Sequence, residues 1–215
     1  MGDVSLMAIT PNAEYIIANA ARHTFGYTEP INDPEKVSAL VKKLIDKEHH
    51  SPLEHGSATV QFKGISRATS HQLVRHRLCS FTQKSDRYTK SDPNFDTIDE
   101  IMIVPPSIDK HSELYLELTM KMHSLYDLYY TMLVEGIKPE DARYILPCGK
   151  KTDIVVTANF RQWRHIFKLR GNAYAQWEIR NNIIEAWKIL VKEAPNVFYD
   201  FSYDKDTNTI CKPTG

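Results

Sequence analysis

Apolar residues change their spacing along the chain, and each change marks an element. Val4 to Ile9 reads as a first strand, and Asn12 to Arg22 reads as a helix. A turn-rich stretch from Phe25 to Asp33 leads into a well-signposted helix. Asp33 can cap it, Pro34 suits its first position, and Val37, Leu40, Val41, Leu44 and Ile45 form one apolar stripe. From Gly56 to Lys63 the period falls to two. Ala58, Val60 and Phe62 alternate with Ser57, Thr59, Gln61 and Lys63, as on a half-buried strand. Helical spacing returns from Ser66 to about Arg77.

The segment from Ser91 to Pro106 has turn residues at its ends and predicts only short extended pieces. Glu113 to Glu135 is the longest helical stretch, with Leu118, Met122, Leu125, Tyr126, Tyr129, Met132 and Leu133 on one face. Pro139, Glu140 and Asp141 open another helix through Arg143 and Tyr144, with acidic groups at the end where the helix dipole favours them. Ile154 to Thr157 is apolar and β-branched, hence a strand. Helices follow near Phe160 to Leu169 and Tyr174 to Ala194, the second burying Ile183, Trp187, Leu190 and Val191. Few strands out of regular alternation with helices predict an α+β fold. We expect one domain over residues 1–215, with long helices around a small, mostly antiparallel sheet and a loose tail from about residue 200.

Composition narrows the partners. With 42% hydrophobic and 25% charged residues, the 215-residue chain has an ordinary globular make-up and can bury a sizeable core. Lys+Arg and Asp+Glu are both 27, so the basic surplus of a non-specific nucleic-acid binder is missing and no nucleic-acid partner is expected. Cys79, Cys148 and Cys211 are far apart and form no CxxC pair, which predicts neither a disulfide framework nor a thiolate zinc site. The N-terminus lacks a signal-peptide pattern and no apolar run is long enough to span a membrane, so a cytoplasmic setting is expected.

Four segments concentrate arginine with hydrogen-bonding side chains: Gln72 to Arg77, Gln83 to Arg87, Arg143, and Asn159 to Arg170. Guanidinium groups suit phosphates because their planar fork makes paired, charge-assisted hydrogen bonds. Each cluster also has a plainer reading. Arg75 and Arg77 lie near a predicted helix C-terminus, where cations are favoured anyway, and Arg161, Arg164 and Lys168 can form a solvated stripe. Several histidines fall between His49 and His76, but His71 and His76 are five apart in a predicted helix and do not share a face, and no metal site is expected. No GxGxxG or Walker A loop is present.

Sequence order separates these readings. The run from Arg75-His76-Arg77 through Ser80 to Ser85-Asp86-Arg87 resembles RHRxxSxxxxSxR, the signature of the flavin-dependent thymidylate synthases. Ala20-Ala21-Arg22, Ser51-Pro52-Leu53-Glu54-His55, Ala142-Arg143 with Leu146-Pro147, and Leu169-Arg170 with Ala175-Gln176-Trp177-Glu178-Ile179 are similar to other elements of that family, in order. The resemblance implies reductive methylation of dUMP to dTMP, with FAD as cofactor and NADPH and 5,10-methylenetetrahydrofolate as co-substrates.

By the same resemblance, FAD is bound by Ser51, Arg75, His76, Arg77, Gln83, Asn159, Arg161 and His165. The dUMP site takes Gln72, Arg75, Arg143 and Arg170, with Gln83, Ser85 and Arg87 from another subunit of a homotetramer. Many relatives carry Glu in place of Gln83, and some carry Asn in place of His165. His49 is implied near the folate or flavin ring. Arg170 is the expected catalytic residue. A reading from another class is a non-catalytic nucleotide- or RNA-binding module, in which Phe160, Trp163 and Phe167 would form a stacking surface among the arginines.

Overall fold

The computed structural model describes residues 2–88 and 95–211. Strand β1 (Asp3–Ile9) leads to helix α1 (Ala13–His23) and helix α2 (Pro34–Asp46). The Asp33 side chain accepts from the amides of Glu35 and Lys36, and Val37, Val41, Leu44 and Ile45 are buried. A 3-10 turn (Ser51–His55) then enters strand β2 (Ser57–Ser66).

Strand β2 runs three residues beyond Lys63, where strict alternation would turn Gly64 and Ser66 inward. A bulge resolves this. The register shifts between Phe62 and Ile65, Gly64 takes φ +63°, and its amide donates to Asp153 Oδ1 at 2.8 Å. The extra residue lets Phe62 and Ile65 both face the core.

Helix α3 (Arg67–Leu73) is capped by the Ser66 hydroxyl. It stops four residues short of the Arg77 expected from the sequence. Beyond Val74 the chain leaves the helix in a turn, with His76 N donating to Leu73 O. Strand β3 (Cys79–Gln83) follows inside the signature itself. Its inward side carries Cys79, Phe81 and Gln83, too little apolar signal to mark a strand.

Within Ser91–Pro106, where short extended pieces were expected, residues 91–94 lie outside the described ones. Helix α4 (Ile98–Ile101) forms a single turn behind a Thr97/Glu100 capping box, and Met102 makes a lone bridge to Lys150. Helix α5 (Glu113–Val134) buries Met122 and Tyr126 in a small second core with Phe95, Ile98 and Met102, and Tyr129 is buried on the same helix. Helix α6 (Pro139–Ala142) tightens into a 3-10 turn at Arg143–Ile145, so the helix expected there is only partly α. Strand β4 (Lys151–Asn159) leads directly into helix α7 (Phe160–Arg170), and helix α8 (Trp177–Glu193) begins where the Gln176 side chain caps it, three residues later than Tyr174.

The four-stranded sheet has the order β1-β2-β4-β3 and is antiparallel throughout. Helices α1, α7 and α8 pack with it around the main core of Val60, Phe62, Val156, Phe160, Trp163 and Ile183. This is the expected α+β arrangement. The tail expected to be loose is instead a hairpin of strand β5 (Ser202–Asp204) and strand β6 (Thr209–Cys211). Ile210 is buried in the main core, and its amide donates to Gly171 O at 2.7 Å. Phe201, Tyr203 and Ile210 are too irregularly spaced in this polar tail to give a periodic signal. Among the described residues, no helix is long and apolar enough to cross a membrane.

Candidate functional site

The signature leaves the end of α3 as a tight turn, with His76 N donating to Leu73 O and Cys79 N to His76 O. In that turn His76 is buried while Arg75 and Arg77 are exposed. Neither guanidinium forms a hydrogen bond or ion pair with a described residue. Arg170, the last residue of α7, meets the turn from the other side. Its Nε donates to His76 Nε2 at 3.2 Å, and its Nη2 lies 3.5 Å from Gln72 O. Helix α7 is rigidly placed for this, since Trp163, Ile166 and Phe167 are buried and Trp163 Nε1 donates to Ala58 O.

An imidazole nitrogen that accepts from a guanidinium carries no proton, so His76 is neutral with its proton on Nδ1. Burial foremost, then the Arg170 guanidinium and His165, push its pKa down to about 4. His165 stands edge-on to His76, with ring centroids 6.0 Å apart. Arg170 is thus more than a helix-end cation in solvent.

Asn159, Arg161 and His165 line one cleft of about 450 Å³, together with Glu54, Leu78 and Gln162. Asn159 caps α7 through its Oδ1, which accepts from Gln162 N and leaves the amide nitrogen as a donor. Arg161 is steadied by Glu54 at 2.6 Å. Guanidinium, amide and imidazole donors beside an apolar Leu78 suit an extended anionic ligand with planar rings, and in this respect the residues fit a flavin nucleotide. Ser51 opens the 3-10 turn that carries Glu54. A second cleft of about 270 Å³ shares Arg161 and His165 and adds His50 and Lys168. His49 is exposed just after α2.

The other arginines gather elsewhere. Arg87 pairs with Glu140 at 2.8 Å, and Arg143 Nε donates to the carbonyl of the same residue at 3.1 Å. The structure thus joins Arg143 to Arg87 within one chain, whereas Gln72 and Arg170 stand with His76. Arg143 lines a cavity of about 340 Å³ with Arg67, His71 and Asp86. The Ser85 hydroxyl accepts from Arg87 N. Gln83 is tied inward, its amide donating to Ser70 and Thr152 hydroxyls at 2.9 and 3.2 Å. A carboxylate at that position has no protons to give those oxygens.

Sequence reasoning missed Glu54, Glu140 and Asp86 as partners of these arginines. Asp86 occupies a variable position of the signature, and nothing local distinguishes it from a solvent-exposed acid. Arg164, read as part of a possible solvated stripe, is buried and forms a two-toothed ion pair with Asp200 at 2.6 Å. The stacking surface needed by an RNA-binding module is absent among the described residues, because Phe160, Trp163 and Phe167 are fully buried. Also among the described residues, no group of histidines, cysteines and carboxylates could hold a metal ion.

Residues 5–196 match the protein family described as Thymidylate synthase complementing protein. The chain is 41% identical over 197 residues to a flavin-dependent thymidylate synthase of Saccharolobus solfataricus, covering 88% of this chain and 72% of that protein. It is 37% identical over 217 residues to one from Clostridium tetani, covering 91% and 84%. Its fold is similar to that of the UMP/dUMP methylase PolB from Streptomyces cacaoi, solved with 5-Br dUMP. The TM-score is 0.75, the identity 23%, and 93% of each chain is covered.

Proposed function

The chain belongs to the flavin-dependent thymidylate synthase family, and we propose that it converts dUMP to dTMP with its arginines anchoring the nucleotide and Arg170 activating the uracil ring. The reaction is a reductive methylation in which 5,10-methylenetetrahydrofolate supplies the one-carbon unit and NADPH the reducing power. FAD, when bound, carries the hydride that completes the methyl group.

Asn159, Arg161 and His165 hold the cofactor in their shared cleft, with Ser51 and the Arg75-His76-Arg77 turn beside it. Gln72, Arg75, Arg143 and Arg170 take dUMP, together with Ser85, Arg87 and Gln83. The protein's own part is positioning and charge: guanidinium groups for phosphate oxygens, and directional donors for the edge of the uracil ring. We place these sites between subunits of a homotetramer. Two observations support that arrangement. The exposed Arg75 and Arg77 have no partner among the described residues, and the dUMP residues fall into two groups, one around His76 and one around Glu140.

The observation that carries the reading is the contact between Arg170 and a neutral His76. It holds a permanent cation at the edge of the signature in a part-buried position. The test is direct. Purified protein loaded with FAD and supplied with dUMP, methylenetetrahydrofolate and NADPH should form dTMP, and the flavin band should bleach on adding NADPH. A flavin-loaded protein that forms no dTMP overturns the reading.

A further inference from the structure

Asp86 lies between Ser85 and Arg87, beyond the last paired residue of β3, and it is buried. Its two carboxylate oxygens are used separately. Oδ1 accepts from Lys150 Nζ at 2.5 Å, and Oδ2 pairs with Arg67 Nη2. Lys150 is also buried and directly precedes β4, while Arg67 is the first residue of α3. Their backbones are joined as well, with Arg67 N donating to Lys150 O at 3.0 Å and Ala68 N to Cys148 O at 2.9 Å. One carboxylate therefore ties the loop after β3 to two elements that are already bonded to each other.

A carboxylate held at both oxygens cannot swing, and neither can the peptide planes on either side of it. Those planes carry Ser85 and Arg87. Ser85 caps the turn through Arg87 N, and Arg87 reaches Glu140 at the surface. Burial makes the tie strict, because a released Asp86 would have no water to replace its lost partners. The triad of two cations and one anion also leaves one unit of positive charge beside the cavity that Arg143 lines.

We propose that Asp86 is a positioning residue for the nucleotide: clamped by Arg67 and Lys150, it fixes the loop that presents Ser85 and Arg87, and it sets dUMP affinity through them. This rests on the reading that the loop binds dUMP. If Asp86 acts only through Arg87 and Ser85, its loss should weaken nucleotide binding and spare both flavin binding and chemistry on bound substrate.

The test uses the FAD-loaded enzyme and a dUMP titration. Asp86→Asn should raise KM for dUMP about tenfold or more, leave kcat within about threefold, and keep the wild-type FAD content. Added to a Ser85→Ala/Arg87→Ala background, Asp86→Asn should change the KM for dUMP by no more than about twofold, because residues acting through one another are not additive. A purely structural Asp86 would give additive losses or lower kcat and FAD content together. Either result, or a KM within about twofold of wild type, overturns the proposal. If Asp86→Asn does not fold, Lys150→Met removes one of the two clamps and should still raise KM about threefold, and an unchanged KM then overturns it. A wild-type enzyme that makes no dTMP would show instead that the underlying reading is wrong, and the proposal falls with it.

Discussion

Arg170 Nε donates to His76 Nε2 across 3.2 Å, which couples the last residue of α7 to the middle of the Arg75–Arg77 turn and requires that imidazole nitrogen to be unprotonated. Arginine stays charged at any working pH, so the imidazole must be the acceptor. A protonated His76 would face the guanidinium as a second cation in a buried place. The contact is thus available only to the neutral form.

That coupling makes stability depend on pH in a defined direction. The folded pKa of His76 is about 4, below its ordinary value of 6.5. As pH falls from 6.5, the unfolded chain takes up a proton that the folded chain refuses, so this contribution is complete above 6.5 and is lost as pH drops through 4. The loss is at most about 3–4 kcal/mol. His76→Gln can still accept from Arg170 but does not titrate. Urea unfolding of both proteins between pH 7 and 4 should show a steeper fall for wild type. Equal slopes would mean that His76 is not held neutral.

Cys79 sits within the signature, half-buried on β3, and burial raises its thiol to about 11 despite a hydrogen bond with Gln162. Such a thiol is protonated at neutral pH and makes a poor nucleophile. The triple variant Cys79→Ala, Cys148→Ala, Cys211→Ala should keep turnover within about threefold of wild type. Complete loss of dTMP formation in a folded, flavin-loaded triple variant would point to an attacking thiol.

The parts of this fold that were legible in the sequence are those whose signal is local. Asp33 with Pro34 marked the start of α2 because capping and φ preference act within one turn. Strand β2 was legible to Lys63 but not through Gly64, because a bulge breaks the alternation that reveals the strand. Strand β3 was hidden because its core side carries Cys79, Phe81 and Gln83 and its support comes from β4, seventy residues on. The candidate site divides the same way. Motif order pointed to Arg75, Arg87, Arg143 and Arg170, whereas Glu140, Asp86 and the inward tie of Gln83 exist only through pairings between remote segments.

Arg164 illustrates the difference between a charge stripe and a buried ion. Its guanidinium binds both oxygens of Asp200 and also donates to Val197 O, which pins α7 to the segment leading into the tail hairpin. Removing one partner strands the other without water. Asp200→Ala should therefore destabilise the fold by about 3–5 kcal/mol, far more than an exposed pair such as Lys188–Glu185 contributes. Chemical denaturation distinguishes these cases, and a loss below about 1 kcal/mol would show the pair to be well solvated.

The remaining prediction concerns chemistry. Carbon 5 of uracil is a weak nucleophile, and with Cys79 protonated the ring needs another source of electron density. Weakening the N3–H bond pushes charge through the ring toward C5, and a fixed cation beside N3 and its neighbouring carbonyl oxygen stabilises the charge as it develops. At about 4 Å and an effective dielectric near 20, one such charge is worth roughly 4 kcal/mol, or about three pKa units. Arg170 is suited to the task because His76 and Gln72 hold its guanidinium from one side, so orienting it costs little at the moment of reaction. Lysine at the same place would keep the charge but lose the Nε contact and the planar fork. Both Arg170→Lys and Arg170→Ala should retain FAD and oxidise NADPH, yet lose dTMP formation about a hundredfold or more, the scale of one transition-state charge contact. Single-turnover measurements at saturating dUMP separate this from weaker binding, since an effect confined to KM would make Arg170 an anchor for the nucleotide and not the group that activates its ring.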